Sequence, residues 1–192
     1  MKKKCWFVVI AILLVSQLAI NAAEIPKKAV KLVKKADGAL GKQKYDKALE
    51  AYNKALELAP EYAAAYLGLG RLYYSQKNLP EAVKNLEKAV ELDAENADTK
   101  KLYANTLFAL GGQAYGQRQV NQSISYFSKL AAIPGIDQII PDIYQQTLFQ
   151  LGTNYYLSRK NEESNKCYLK LTAIPGFDEG DIKLVIQTKY QI

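Results

Sequence analysis

The sequence of 192 residues contains no histidine and only two cysteines. Without histidine, catalytic triads and metal sites that need an imidazole are excluded. Cys5 lies in an N-terminal segment that we expect to be removed, which leaves Cys167 alone and permits no internal disulfide bond. We interpret Cys167 as a plain, half-buried helix residue, because no histidine is available to activate its thiol.

A glycine-rich phosphate loop is also lacking. The glycines at 68–70 lie within a predicted helix and are not followed by the Lys-Ser/Thr pair of a P-loop. Paired acidic residues occur near predicted helix starts, where negative charge suits the helix dipole, at Glu162, Glu163, Asp178, Glu179 and Asp181. We therefore predict that the chain is not an enzyme and has no cofactor and no metal site.

Basic residues exceed acidic residues only modestly. The formal net charge is +7, but Lys2, Lys3 and Lys4 supply three of the 26 basic residues. The rest of the chain has 23 basic and 19 acidic residues, which gives a net charge of +4. Such an excess is weak evidence for nucleic-acid binding, and we expect none. The lysines of segment 25–44 favour a solvated helix face over a patch for an anionic membrane.

The N-terminus has the layout of a secretory signal peptide. Three lysines precede an apolar run from Cys5 to Ile20, and small residues follow at Ala22 and Ala23. The run is shorter than the ~20 residues of a membrane-spanning helix. We expect cleavage after one of these alanines, and the alternative is an uncleaved membrane anchor.

Two pairs of segments recur along the chain with one common offset. KLAAIPGID at 129–137 returns as KLTAIPGFD at 170–178, and TLFALGGQAY at 106–115 returns as TLFQLGTNYY at 147–156. Because both halves of a unit recur with the same offset, the chain contains a structural repeat.

Two earlier units, at 42–62 and 65–96, recur with a shorter offset, which takes Ala48 to Ala82 and Ala55 to Ala89. The second of these units matches the pattern W-x2-L-G-x2-Y…A-x3-F…P, with tyrosine in place of tryptophan and leucine in place of phenylalanine. The matching residues are Tyr66, Leu69, Gly70, Tyr73, Ala82, Leu86 and Ala89. From about residue 29 onward, the sequence therefore resembles the tetratricopeptide repeat family. The resemblance implies an all-α fold, an α-α superhelical solenoid of helix pairs whose first helices line a concave surface.

Physical requirements explain the recurring residues. Glycine lets two helix backbones cross closely, although it costs ~1 kcal/mol relative to alanine within a helix. A single helix pair loses on the order of 50 kcal/mol of conformational entropy, which roughly 2,000 Å² of apolar burial would offset. Two short helices cannot bury that area alone, so successive pairs must stack.

The greater offset of the later units corresponds to about two additional helical turns. We predict one long helix over 98–119 in the third unit, whereas Pro141 indicates that part of 135–140 is loop in the fourth.

We assign residues 1–23 to the signal peptide and 24–192 to one repeat domain with nine helices, counting an incomplete last one. Its units span about 29–62, 63–96, 97–137 and 138–178, followed by a partial fifth unit or capping helix at 179–192.

The resemblance assigns seven residues of first helices to partner binding. Leu67, Phe108 and Phe149 form one column, Tyr74, Tyr115 and Tyr156 form a second, and Arg71 projects between them. Aromatic side chains are efficient anchors because they bury a large area and lose few rotatable bonds. The alternative is that the rings pack between neighbouring units as core. The family's cationic clamp for a terminal carboxylate is not recognisable at the corresponding positions, Val33, Asp37 and Gly68.

Together these observations favour an exported, periplasmic or secreted, non-catalytic scaffold of the cell envelope that binds a protein or peptide. One alternative is the recognition module of a longer enzyme, and another is a membrane-tethered assembly factor. The sequence makes no prediction of oligomeric state.

Overall fold

The computed structural model describes residues 25–174, and this part of the chain contains helices and turns without any β-strand. The prediction of an all-α fold is confirmed. The helices are α1 (Lys27–Leu40), α2 (Tyr45–Leu58), α3 (Ala63–Ser75), α4 (Leu79–Leu92), α5 (Ala97–Gly116), α6 (Val120–Ala131), α7 (Ile136–Ile139), α8 (Pro141–Leu157) and α9 (Asn161–Thr172). The eight long helices of this part form four pairs, α1/α2, α3/α4, α5/α6 and α8/α9.

The turn inside each pair has the same backbone conformation. One non-glycine residue in each turn has a left-handed φ of 56° to 60°, and these residues are Gln43, Lys77, Arg118 and Arg159. In every case the next residue donates its N–H to the carbonyl five positions earlier, as Lys44 does to Ala39. The repeat seen in the sequence is therefore reproduced in the local geometry of the chain.

Within each of the last three pairs, a glycine of the first helix lies under a large residue of the second. Gly111 lies beneath the ring of Phe127, and Gly152 lies beneath the ring of Tyr168. Gly70 has the same relationship to Leu86. The close crossing predicted for the glycine column is confirmed at these three positions.

Stacking of the pairs follows a regular pattern. Each second helix packs on the first helix of the next pair, as α2 does on α3, α4 on α5 and α6 on α8. The first helices also contact one another, α1 with α3, α3 with α5, and α5 with α8. The array of pairs is an α-α solenoid with its first helices side by side.

The phrase KLAAIPGID at 129–137 runs from the last residues of α6 into α7, on the way to α8. Ile133 and Ile136 are buried, and Gly135 between them has a φ of 72°, which glycine adopts without steric cost. The Nζ atom of the buried Lys100 donates to the carbonyl of Pro134 over 3.2 Å. The phrase thus turns the chain sharply while it anchors two isoleucines in the core.

The long helix predicted in the third unit is confirmed, because α5 extends over 20 residues. The prediction that part of 135–140 is loop is confirmed at Gly135 and Ile140, which lie outside the helices, whereas residues 136–139 between them form the short helix α7. Burial of Ile136 and Ile140 on the core explains the difference, since it holds this segment in one helical turn. The cleavage site, the acidic residues Asp178, Glu179 and Asp181, and the predicted helix at 179–192 lie outside the described residues.

The lysine-rich helix α1 buries Ala29, Val33 and Ala36 and leaves its lysines exposed. Across residues 25–174, no helix combines the length and the apolar character needed to cross a bilayer.

Candidate partner-binding surface

The seven predicted residues lie on three first helices that contact one another. Leu67, Arg71 and Tyr74 are on α3, Phe108 and Tyr115 are on α5, and Phe149 and Tyr156 are on α8. Spacings of four and seven residues put the members of each helix on one side of it. We call the surface formed by these seven residues, together with Gly112 and Thr153, the first-helix face.

Two tyrosines of the first-helix face are open to solvent. Tyr74 is 40% exposed and Tyr115 is 39% exposed, so both rings are available for contact with another molecule. Tyr156, the third member of the column, is partly buried. Aromatic side chains are enriched at protein interfaces, and these two tyrosines lie on first helices that contact each other.

The phenylalanines lie deeper than Tyr74 and Tyr115. Phe108 packs edge-on against Phe127, with 5.7 Å between the ring centroids, and Phe149 packs in the same way on Tyr168 at 6.3 Å. Leu67 is partly buried against the core that joins the second and third pairs. These three residues therefore belong partly to the core and are only partly exposed.

Arg71 is exposed and makes no ion pair with any residue in the range 25–174. The neighbouring carboxylate of Asp37 is already engaged, since the hydroxyl of Tyr52 donates to its Oδ1 over 2.6 Å. Burial, reinforced by this hydrogen bond, raises the pKa of Tyr52, and the positive charge of Arg71 opposes the rise. Arg71 consequently stands near this pair as a cation that forms no ion pair with the described part of the chain.

Gly112 differs from the other glycines in the middle of first helices. A Cβ atom at Gly112 would meet nothing within 4 Å, whereas one at Gly111 would meet the ring of Phe127 at 2.8 Å. Gly112 is exposed and lies between Phe108 and Tyr115 on the same side of α5. The packing of the helix pair therefore explains Gly111 and leaves Gly112 unexplained.

Sequence reasoning missed a polar contact between the third and fourth pairs. Asn154 is fully buried, and its Nδ2 donates to Oγ of Ser123 over 2.8 Å, while that Oγ donates to the carbonyl of Gly111. The serine in place of the usual alanine was the only signal. Ser164 makes the corresponding bond to the carbonyl of Gly152, so the serine column satisfies backbone acceptors inside the pairs.

The described residues offer little reactive chemistry. Cys167 is buried, and desolvation raises the pKa of its thiol to about 11, which disfavours the reactive thiolate. Residues 25–174 contain no group of three acidic or cysteine side chains arranged to hold a metal ion. The side chains of the first-helix face offer aromatic rings, hydroxyl groups and one positive charge.

Comparison with known families and structures identifies the repeat. Residues 33–97 match the family model described as tetratricopeptide repeat, a range that covers most of the first two helix pairs. No curated protein sequence gives a significant match.

Several solved structures are similar to the chain. The N-terminal domain of stress-induced protein-1 (STI-1) from C. elegans is 22% identical, with a TM-score of 0.48, and the match covers 65% of this chain and 98% of that domain. MamA is 21% identical with a TM-score of 0.44, and the match covers 73% of this chain and 74% of MamA. YrrB, described as a TPR protein with an unusual peptide-binding site, is 19% identical with a TM-score of 0.39. The match covers 81% of this chain and 89% of YrrB.

The family match covers two pairs that stack on each other, and the third and fourth pairs repeat their turns and their close helix crossings. The first two pairs thus match the tetratricopeptide repeat model over residues 33–97, and members of that family are generally non-catalytic scaffolds that bind proteins or peptides.

Proposed function

We propose that the chain is exported and that it binds a segment of a partner protein across the first-helix face, as a scaffold in the cell envelope. The observation that carries the proposal is the exposure of Tyr74 and Tyr115 on two first helices that contact each other. Both rings lie on the side of the solenoid where the first helices are side by side.

Energetics favour this surface over the outer helices. A tyrosine ring buries a large area at a small cost in side-chain entropy, and its hydroxyl can bond to the backbone of a bound chain. The second helices instead carry ion pairs that are largely solvated, such as Lys54 with Glu50 and Lys166 with Glu162. Exposed pairs of this kind contribute little to binding, because water competes for both charges.

Export rests on the N-terminal sequence. The positive head, the apolar run from Cys5 to Ile20 and the alanines before Glu24 are the features that a signal peptidase recognises. Expression of the full chain with a C-terminal tag, followed by N-terminal sequencing, tests this part of the proposal. We expect Ala23 or Glu24 as the first residue, whereas an intact Met1 would support the membrane-anchored alternative.

Site-specific photo-crosslinking tests the binding surface. A benzophenone side chain placed at Tyr74 or Tyr115 should capture one shared partner from the native envelope, and the same probe at Leu58 should not. Leu58 is a matched control because it is 41% exposed but lies on the second helix α2. Equal capture from all three positions would argue against a site on the first-helix face.

A further inference from the structure

A tyrosine that the second and fourth pairs share is missing from the third pair. In α3 and α8 the third residue after the crossing glycine is a tyrosine, Tyr73 and Tyr155, whereas in α5 it is Ala114. Both tyrosines are partly buried and pack against the core. At Ala114 the third pair therefore lacks a phenol ring that the other two pairs place against neighbouring helices.

The surroundings of Tyr155 show what holds such a ring in the fourth pair. Tyr155 packs against a cluster that contains Leu151 and Cys167. The Nζ atom of Lys160 lies 6.0 Å from the centroid of the ring, and Oγ of Ser128 lies 3.4 Å from its hydroxyl. Apolar contacts, one cation and one polar contact to the hydroxyl thus surround the ring.

A cleft of about 240 Å³ opens at the corresponding place in the third pair. Ala114 lines this cleft, and we call it the Ala114 cleft. Its lining includes the residues that correspond, by the offset between the last two units, to neighbours of Tyr155; these are Leu110, Gln119 and Tyr126. Because an apolar cavity of about 150 Å³ holds a benzene molecule, the Ala114 cleft has room for a phenol ring.

The Ala114 cleft also presents polar groups that the described part of the chain leaves unpaired. The carboxamides of Gln113, Gln117 and Gln119 form no hydrogen bond within residues 25–174, and Lys77 forms no ion pair there. None of the described residues that line the cleft is acidic. A carboxamide can both donate to and accept from a hydroxyl group, and an ammonium group attracts the electron-rich face of an aromatic ring. The lining therefore complements a hydroxylated aromatic ring in charge and in hydrogen bonding.

The cleft lies on the side of α5 opposite to the first-helix face. Leu110, Ala114 and Gln117 follow one another at spacings of four and three residues, so they share one side of the helix. Gly112 and Tyr115 lie about half a helical turn away, on the other side. The two surfaces are therefore separate.

We propose that the Ala114 cleft binds a phenol group, whose ring takes the place that Tyr155 fills in the fourth pair and whose hydroxyl bonds to a carboxamide of the lining. The inference does not rest on the proposed function, because it concerns the opposite side of α5. A tyrosine side chain of another protein and a free phenolic compound present this same group, so the experiment has to separate the two sources.

Saturation-transfer NMR with p-cresol and the purified chain tests the chemistry. We expect saturation transfer to p-cresol and about tenfold weaker binding of toluene, because toluene has no hydroxyl to pair with the carboxamides. N-acetyl-tyrosinamide then separates the sources. Binding at least as tight as that of p-cresol would identify a tyrosine side chain as the ligand, and exclusion of the blocked amino acid would identify a free phenolic compound.

Ala114→Tyr fills the cleft with a ring of the chain itself and copies the second and fourth pairs. We expect this variant to keep the midpoint of thermal unfolding or raise it, and to bind p-cresol at least about tenfold more weakly. Ala109→Tyr is the matched control, since Ala109 is exposed on the same helix and does not line the cleft. This control should bind p-cresol like the wild type.

A second variant tests the same site without a bulky substitution. Gln117 and Gln119 are exposed in the turn between α5 and α6, and Gln119 makes no side-chain cap to α6, so replacing both by alanine should leave the fold intact. In this double variant p-cresol should lose its advantage over toluene.

Three results would overturn the inference. They are no saturation transfer from the wild type to p-cresol, toluene binding as tight as that of p-cresol, and equal p-cresol binding by folded Ala114→Tyr and Ala109→Tyr. None of them bears on the capture of a partner at Tyr74 or Tyr115, so the proposed function stands or falls separately.

Discussion

The ring of Phe127 lies on the backbone of Gly111, so that a Cβ atom at Gly111 would be 2.8 Å from Cε1 and Cζ of the ring. Real side chains essentially never approach this closely, and the ring is held between helices. The adjacent Gly112 points away from the core into open space. Two consecutive glycines of one helix therefore have opposite relationships to the fold.

Alanine substitution at these two glycines should change stability in opposite directions. We expect Gly111→Ala to lower the free energy of unfolding by about 1–3 kcal/mol, because the methyl group overpacks the crossing with Phe127. Gly112→Ala should raise it by up to about 1 kcal/mol through helix propensity alone. Urea unfolding followed by circular dichroism measures both, and a loss of similar size at both positions would contradict the packing described for Gly111.

A paired substitution tests the buried polar contact between the third and fourth pairs. Ser123→Ala should destabilise the fold by about 1–3 kcal/mol, because the buried Nδ2 of Asn154 loses its acceptor. Between the first and second pairs, the positions of Ser123 and Asn154 are occupied by Ala48 and Leu72, which pack in one apolar cluster.

The double variant Ser123→Ala with Asn154→Leu should therefore recover the stability lost in the single variant, because it copies that apolar arrangement. Thermal unfolding of the wild type, the single variant and the double variant measures the coupling. If the double variant is instead less stable than Ser123→Ala alone, the lost hydrogen bond to Asn154 is not the reason that Ser123→Ala destabilises the fold.

Acid should weaken a connection among three helices. The carboxylate of Glu87 on α4 accepts Nζ of Lys129 over 2.6 Å and the hydroxyl of Tyr103 over 3.1 Å. The hydrogen bond from Lys129 is the main reason that the pKa of Glu87 is lowered. Because the pKa is lower in the folded state than in the unfolded state, the interaction stabilises the fold above the unfolded-state pKa, and this stabilisation disappears as the pH falls.

We expect this contribution to fade as pH drops below about 4.3, the ordinary value for glutamate. Its size is at most about 1 kcal/mol, because Lys129 and Glu87 are 46% and 40% exposed and the pair is screened by water. Glu87→Gln should make the loss of stability between neutral and acid pH smaller. If this variant loses as much stability in acid as the wild type, Glu87 does not cause the acid sensitivity.

The thiol of Cys167 should react slowly in the folded protein. Its burial and a pKa raised to about 11 leave little thiolate at neutral pH. Labelling with a maleimide at neutral pH should be at least about tenfold faster in urea than in buffer. Rapid labelling of the native chain would show that α9 opens readily in solution.

Features that depend on the repeat could be predicted from the sequence, and features that depend on how pairs stack could not. The crossings at Gly70, Gly111 and Gly152 follow from spacing alone, and the long helix α5 follows from the greater offset of the later units. The contact of Gly68 with the ring of Tyr52 was missed because it joins two different units, so neither unit shows it by itself.

The helices that carry the candidate residues were predictable from the sequence, and the binding role of these residues stays a prediction. Family resemblance placed the exposed Tyr74 and Tyr115 on one side of the solenoid, but sequence alone could not separate surface from core for Phe108 and Phe149. Their depth depends on the rings beneath them, which Phe127 and Tyr168 supply from the second helix of the same pair. Only the packed helix pair shows that these rings serve the core and the surface together.

Binding of the partner captured by photo-crosslinking, measured on the double variant Tyr74→Ala with Tyr115→Ala, tests the first-helix face most directly. Leu58→Ala with Leu169→Ala is the control, since those leucines are 41% and 68% exposed on second helices. We predict that both variants keep the helical circular dichroism of the wild type and that only the tyrosine variant loses binding. Loss of folding in the tyrosine variant, or equal binding by both variants, would contradict a partner-binding surface on the first helices.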